Sequence, residues 1–471
     1  MSDNSSRTLI VISLVLCLIT FSIALLEPSY LGEYFYLGAL VFIEVMLVAL
    51  WGFAKRFFPV LMAVFLWAGT DVPLQDLWIA RRWFVLAIAA IAGFAIYIRE
   101  RRHSFSGIHL TAFICVLSAI ISALVSSYPQ TAILKALSLF LLFTYAATGA
   151  RLAVVGREGK FFYGLLIGCE VIVWVAVISY FLFRHPLFGN PNSLGAIVGV
   201  VVLPLLLWGT FISQESSLYR RRTFSLFLAV LLLFASYSRA GIVAAIIACS
   251  ALCICMGRYR LLIKGIGAAL VAALLIATFS PIRSEESGSL LQFVYKGDQQ
   301  RDILASRNSI WDRTVTSIRQ RPWFGSGFGT VATDYDTTTP IGGFSSEGVT
   351  REHGNSYLAL LEWVGLLGVI PFYVLALIVA TRTTQVLIWL KRTKDPFSPA
   401  VPIALVMIAG LIHAGFEDWL FAVGYYLCVF FWSLAFVLID VLPANAPSLA
   451  FPNPTLVPPS SGNLDLAMPG R

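Results

Sequence analysis

The chain has 471 residues, of which 58% are hydrophobic and 12% are charged, and its mean hydropathy is +0.83. Soluble domains carry about twice that share of charged residues, so the composition excludes an ordinary soluble protein. The net charge of +8 is concentrated in short connections between apolar runs, which indicates membrane orientation rather than nucleic-acid binding.

Apolar runs of a length suited to helical crossing of a bilayer recur along the whole chain. They predict an all-α polytopic integral membrane protein with about 12–14 transmembrane helices. The runs fall at about 8–26, 34–54, 57–70, 83–98, 107–127, 131–149, 160–183, 192–212, 223–237, 240–257, 260–279, 363–389, 400–416 and 419–440.

The basic residues fall in alternate connections and so predict an orientation. With the amino end in the cytoplasm, the even-numbered connections hold basic clusters such as Lys55 with Arg56 and the arginines of 220–222. Short loops rich in Lys and Arg face the cytoplasm. After eleven crossings, the polar loop of 280–352 then lies on the outer face.

This count divides the chain into four parts. We predict a transmembrane helical block over 1–279, a large outer loop over 280–362 and further transmembrane helices over 363–441. The proline-rich end, 442–471, is predicted to be a disordered cytoplasmic tail.

Within the outer loop, apolar and small side chains recur at helical spacing and predict one amphipathic helix on the membrane surface. Pro322 ends it, with Ser306 or Asn308 as its cap. Three glycines then allow sharp turns. The spaced residues are Ile310, Trp311, Thr314, Val315 and Ile318, and the glycines are Gly325, Gly327 and Gly329.

His353 stands in the outer loop just before a helix that begins near Asn355. An imidazole titrates near neutrality and can accept a proton from a hydroxyl group. Spacing alone leaves the other interpretation ahead, in which this histidine caps a helix or binds a carbonyl.

Two arginines on the outer face are candidates for binding a phosphate group. Arg239 follows an apolar run at an outer junction, and Arg307 opens the amphipathic helix. A guanidinium can bind phosphate in a bidentate manner. Arg239 could instead reach toward lipid headgroups, and Arg307 could be a solvated charge paired with Asp302 or Asp312.

Other residues complete the candidates. The secondary site candidates are Arg81, Arg82, Arg184, Asn355 and Tyr357. No acidic metal-binding cluster occurs in the loop, and no cofactor is predicted. Charged residues inside apolar runs (Glu44, Lys135 and Glu170) could mark an ion path, so a transporter and a structural scaffold both stay open as alternatives.

Four blocks of sequence together resemble the family of O-antigen ligases and O-antigen polymerases. They lie in that family's order between about residues 188 and 368. The blocks are 189–193 (Gly-Asn-Pro-Asn-Ser), 238–241 (Ser-Arg-Ala-Gly), 307–329 (Arg307, Trp311, Pro322 and three glycines) and 353–368 (His353 through Gly365 to Gly368).

The resemblance implies an inverting, metal-independent glycosyltransferase in the bacterial inner membrane, with its active site facing the periplasm. Its donor would be a glycan on undecaprenyl diphosphate, and its acceptor a hydroxyl of lipid A-core or of another glycan. His353 would be the general base, and Arg239 and Arg307 would bind the diphosphate. Ligase and polymerase both fit this outline.

One departure from the family pattern concerns the residue after the histidine. The family commonly has His-Asn-Ser, whereas Gly354 intervenes here and lengthens the distance to Gly365 by one residue. The insertion puts the direction of the His353 side chain in question.

Overall fold

The structure is a computed structural model that describes residues 57–70, 75–100, 105–183, 187–188, 190–279, 305–331 and 351–443. Within these ranges all the regular secondary structure is helical, and there is no strand. We number the helices α1 (Phe57–Ala68), α2 (Gln75–Glu100), α3 (Gly107–Leu124), α4 (Pro129–Val154), α5 (Glu158–Leu182), α6 (Pro191–Phe211), α7 (Ser216–Ala235), α8 (Arg239–Cys255), α9 (Tyr259–Phe279), α10 (Ala305–Gln320), α11 (Ser356–Thr393), α12 (Ala400–His413) and α13 (Tyr426–Asp440).

Six of the described helices are long and apolar enough to cross a membrane: α2, α3, α4, α5, α6 and α11. Four shorter apolar helices, α1, α8, α12 and α13, accompany them. The prediction of an all-α polytopic membrane protein is therefore confirmed. The predicted total of spans rests partly on 1–56, which lie outside the described residues.

The centre of the bundle is formed by α6, α12 and α13. In α6, 94% of the most apolar 18-residue stretch is buried. Nearly all of α12 and α13 is buried as well. A helix that is apolar on all sides fits the interior of a larger bundle. The connection between α12 and α13, residues 414–425, therefore lies directly at one end of the protein core.

Glycines bring α6 and α8 into close contact. A Cβ at Gly199 would lie 2.3 Å from the carbonyl oxygen of Gly241, and one at Gly241 would lie 2.4 Å from that of Gly195. Small residues let two backbones approach in this way. The contact fixes the beginning of α8, where Ser238 caps the helix through the Gly241 N–H.

Helix α11 is broken at Gly365, where φ is 69° and ψ is −179°. The break leaves helical N–H and carbonyl groups without their usual partners, and the glycine-rich segment 322–329 supplies replacements. The Leu366 N–H donates to the Pro322 carbonyl at 2.7 Å, and the Ser326 N–H donates to the Glu362 carbonyl at 2.8 Å.

The three glycines of this segment turn as predicted, with φ values of 74°, 110° and 73° at Gly325, Gly327 and Gly329. A Cβ at Gly325 would lie 2.5 Å from the Trp363 backbone. The segment therefore fits against the break in α11 only because both sides lack side chains at the closest points.

Two helices begin at positions that differ from the starts of their apolar runs. Helix α11 begins at Ser356, as predicted for a helix near Asn355 and ahead of the apolar run at 363, because Asn355 accepts hydrogen bonds from the Tyr357 and Leu358 N–H groups. Helix α13 begins at Tyr426 rather than near 419. Residues 415–425 form partly buried turns. Their backbone forms hydrogen bonds to other parts of the chain; for example, the Leu420 N–H donates to Ser356 Oγ at 3.1 Å.

Charged residues inside the apolar runs have local partners. Lys135 Nζ donates to the Gly329 carbonyl at 2.5 Å, which ties α4 to the glycine-rich segment. Glu170 lies 3.1 Å from Arg221. Glu44 lies outside the described residues.

Candidate active site

His353 is held at the end of the bundle by the turn between α12 and α13. Its backbone N–H donates to Asp418 Oδ2 at 2.8 Å, and its ring Nδ1 lies 3.1 Å from the same oxygen. The ring packs edge-on against Trp363, with centroids 5.4 Å apart. His353 is only 1% exposed, so its orientation is fixed by packing as well as by Asp418.

A second carboxylate faces the other ring nitrogen. Oε2 of Glu362, on α11, lies 3.3 Å from Nε2 of His353, yet Nε2 makes no hydrogen bond within the described part of the chain. The same Oε2 accepts a hydrogen bond from the Arg351 guanidinium. The imidazole therefore lies between two carboxylates, and an arginine binds one of them.

These contacts shift the protonation of His353 and Asp418. Burial by itself would lower the pKa of His353, but Asp418 and Glu362 outweigh it, and the pKa is raised above its ordinary value. Burial would raise the pKa of Asp418, but the bonds from His353 outweigh it, and that pKa is lowered. A raised histidine pKa stabilises the fold at low pH, and this contribution disappears as pH rises through the folded-state value.

Arg307 lies beside His353 through the inserted glycine. Gly354 adopts φ +62°, and a Cβ there would lie 2.6 Å from Nη1 of Arg307. The indole N–H of Trp311 donates to the Gly354 carbonyl at 3.3 Å. Gly354, which departs from the family pattern, thus provides the space in which the guanidinium of Arg307 packs against the residue that follows the histidine.

The guanidinium of Arg307 is also paired with the turn that carries Asp418. Its Nη2 donates to Glu417 Oε1 at 2.5 Å, and its Nη1 lies 3.9 Å from Glu352. Burial raises the pKa of Glu417, and the charge of Arg307 offsets part of that rise. Asp302 lies outside the described residues.

Replacing Gly354 with alanine is expected to destabilise the protein by about 1–3 kcal/mol and to displace Arg307. The left-handed backbone strains an L side chain, and the new Cβ would also collide with the guanidinium. Gly156→Ala is the matched control, since Gly156 has φ +81° with no atom within 4 Å of a Cβ. Thermal unfolding should show a larger loss of stability for Gly354→Ala than for Gly156→Ala. Equal losses of stability would contradict a collision between the new Cβ and Arg307.

Arg239 opens α8 and is partly exposed. It lies near enough to Arg307 for the two like charges to act on each other. The carboxylates of Glu417 and Glu352, which flank the guanidinium of Arg307, offset part of this positive charge.

The secondary candidates separate into different roles. Asn355 caps α11, and the Tyr357 hydroxyl donates to the Leu411 carbonyl at 2.8 Å, so both support the loop that carries His353. Nη2 of Arg82 would be 3.1 Å from a Cβ at Gly424, which places Arg82 against the turn of 414–425. Arg81 neighbours it on α2, and Arg184 lies outside the described residues.

Sequence reasoning did not propose Asp418, Glu362 or Arg351 as site residues. Asp418 belongs to an acidic outer connection, and Glu362 is the last residue of the predicted outer loop, directly before an apolar run; both positions are visible in the sequence. Neither position indicates a contact with His353. Asp418, for example, is 65 residues away from His353 along the chain. Among the described residues, no group of three or more His, Cys, Asp or Glu is arranged to hold a metal ion.

The fold and this site define a helical membrane protein with a buried histidine–carboxylate cluster beside two arginines. Residues 224–373 match the family model described as O-antigen ligase, and this span contains Arg239, Arg307 and His353. The match supports the predicted resemblance to the family of O-antigen ligases and polymerases over these residues. No curated protein matches the chain. Asp418 lies beyond the matched residues.

Proposed function

We propose that this protein is a glycosyltransferase that moves a glycan from undecaprenyl diphosphate to a hydroxyl group of lipid A-core. The acceptor oxygen attacks the anomeric carbon, and the bond between that carbon and the diphosphate oxygen breaks. The electron pair leaves with the diphosphate, and the hydroxyl proton passes to His353. A single displacement of this kind inverts the anomeric configuration.

The observation that supports this proposal best is the grouping of Arg307 and His353 around Gly354. A general base must come within hydrogen-bond reach of the hydroxyl it deprotonates, while the leaving diphosphate needs positive charge as the bond breaks. Arg307 lies against the residue next to His353, and the charge of Arg239 acts on that of Arg307. We infer from this that the base and the two cations act on one sugar diphosphate.

We assign the proton-accepting role to Nε2 of His353. Nδ1 bonds to Asp418, so its N–H is held there and Nε2 keeps the free lone pair. Asp418 is then a positioning residue that fixes the tautomer and stabilises the imidazolium formed during transfer. This arrangement follows the general logic of a base oriented by a third group.

The proposed location follows from the distribution of charge. We place the protein in the bacterial inner membrane, with a cytoplasmic amino end and the site facing the periplasm. A polymerase would use the same donor but a glycan acceptor. A transporter would depend on intramembrane charges, but Lys135 and Glu170 have local partners.

Arg307→Ala is expected to reduce glycan transfer by about 100-fold or more, because one cation that binds the diphosphate is lost. Arg319→Ala is the matched control: Arg319 lies on the same helix, is exposed, and should retain normal transfer. The measurement is product formation by purified protein in nanodiscs with undecaprenyl-diphosphate-linked glycan. Equal activity of the two variants would remove Arg307 from the site.

The same assay tests the proposed reaction. Lipid A-core and free donor glycan are offered separately as acceptors, and the product is identified by mass spectrometry. Transfer to lipid A-core supports a ligase, and extension of the donor glycan supports a polymerase. Glycan or ion flux into vesicles without any transfer would overturn the proposal in favour of a transporter.

A further inference from the structure

His353 is enclosed by charged groups from the elements packed around it. Both carboxylates near its ring are themselves buried or largely buried, and Glu362 is 1% exposed. The charged groups are Asp418 and Glu417 on the turn of 414–425, Glu362 on α11, Arg351 and Glu352 in the preceding segment and Arg307 on α10. The imidazole therefore has two carboxylates beside its ring, although Asp418 alone is enough to fix its tautomer.

The carboxylate of Glu362 has two competing neighbours. Its Oε2 is bound by the guanidinium of Arg351 and also lies 3.3 Å from Nε2 of His353. The contact between Nε2 and Oε2 lacks the angles of a standard hydrogen bond, and Oε1 of Glu362 is buried without any partner within the described residues. Buried polar atoms normally have partners, so this pair of unsatisfied atoms beside a base requires an explanation.

We propose that Arg351 and Glu362 form a pair of positioning residues that keeps Nε2 of His353 able to accept a proton from the acceptor hydroxyl. The inference rests on the proposed transfer reaction. Arg351 binds the carboxylate that would otherwise take a hydrogen bond from a protonated Nε2. Glu362 remains near enough to stabilise the imidazolium once the proton has moved.

Charge balance explains why both members are needed. Among the groups in contact with the ring or with Glu362, Asp418 and Glu362 against Arg351 leave one net negative charge while the ring is neutral, and the transferred proton cancels it. Without Arg351, two unopposed carboxylates would hold the proton on the ring up to a higher pH. Without Glu362, the imidazolium and Arg351 would be two buried cations beside a single anion, and uncompensated buried charge is costly.

The two partners should therefore act in opposite directions on the same histidine. Glu362→Gln should lower the pKa of His353 by about one unit or more, and Arg351→Gln should raise it by a similar amount. Arg351→Lys retains the positive charge, so the pKa of His353 should stay close to its value in the unaltered protein. In the double variant, Glu362→Gln with Arg351→Gln, the pKa of His353 should lie between the values of the two single variants.

The pKa of His353 can be measured without any substrate, by the pH dependence of hydrogen–deuterium exchange at the imidazole C2 position, read by mass spectrometry. The second readout is the pH profile of glycan transfer, which should rise as His353 loses its proton. Its acidic limb should move to lower pH in Glu362→Gln and to higher pH in Arg351→Gln. Arg351→Gln should thus regain activity at high pH.

The outcomes separate this inference from the proposed function. Opposite pKa shifts without any glycan transfer would support the charge pair and overturn the proposed reaction. Transfer that depends on His353, with pKa shifts of the same sign or none, would overturn the pair. If Arg351→Gln does not fold, the other two variants still test the proposal. Glu362→Gln should move the pH midpoint of hydrogen–deuterium exchange at His353, and Arg351→Lys should not.

Discussion

Replacing His353 with alanine is expected to slow glycan transfer by about 100- to 10,000-fold, the usual contribution of a general base. The donor should still bind, because neither Arg239 nor Arg307 is altered. The fold should persist, because the backbone N–H of residue 353 can still donate to Asp418, as it does at 2.8 Å in the structure. Single-turnover transfer with preloaded donor measures the chemical step directly.

The controls for this experiment follow from the same contacts. Donor binding, measured separately, should be close to normal in His353→Ala and reduced in Arg307→Ala. The circular dichroism spectrum and thermal transition of His353→Ala should show a folded helical protein. A variant that retains half or more of the transfer rate would show that His353 is not the base.

Replacing Gly365 with alanine is expected to destabilise the protein by about 3–5 kcal/mol. The backbone at φ 69° and ψ −179° lies in a region open almost only to glycine, and strain there costs about 1–3 kcal/mol. A Cβ would also lie 2.4 Å from the carbonyl carbon and oxygen of Trp323. These are backbone atoms, which cannot turn aside as a side chain can.

The collision would also weaken the hydrogen bonds that close the break in α11. The bonds from the Leu366 and Leu367 N–H groups to the Pro322 and Trp323 carbonyls would lengthen, at about 1 kcal/mol each. Because Glu362 lies one turn before the break, its position beside His353 should change as well. Loss of transfer is therefore expected together with the loss of stability.

Gly168→Ala is the matched control for this prediction. Gly168 lies inside α5, and no atom lies within 4 Å of a Cβ built there. Alanine should be neutral or stabilising by up to about 1 kcal/mol, because it favours the helix. The measurement is the unfolding midpoint of each purified variant, and comparable midpoints for Gly365→Ala and the unaltered protein would contradict the account of the break.

Several features of the site were predictable because they depend on local sequence. The spacing of Ile310, Trp311 and Thr314 predicted a helix, and α10 indeed ends at Gln320, before Pro322. The glycines after it predicted sharp turns, and their φ values agree. The site roles of His353, Arg239 and Arg307 came from family resemblance, and they stay predictions until a transfer assay tests them.

Other features could not be predicted because they depend on pairs of residues far apart in sequence. Hydropathy predicted that the last helix begins at about 419, whereas residues 415–425 form partly buried turns in the structure. Those turns are possible because groups such as Ser356 Oγ satisfy their backbone. The same turns bring Asp418 to His353, and no local pattern indicates that contact.

The sequence by itself determined that this protein is a bundle of membrane-spanning helices, because apolar run length and the placement of basic residues are properties of each segment alone. It also identified the polar stretch and the histidine on which the proposed chemistry depends. Only the tertiary structure decided the surroundings of that histidine. Asp418 and Glu362 contact its ring, Arg351 binds Glu362, and Arg307 packs against Gly354. The break at Gly365, the left-handed turn at Gly354 and the partly buried turn before α13 bring these separate helix ends together. Such packing depends on all its partners at once, so no single segment of sequence indicates it.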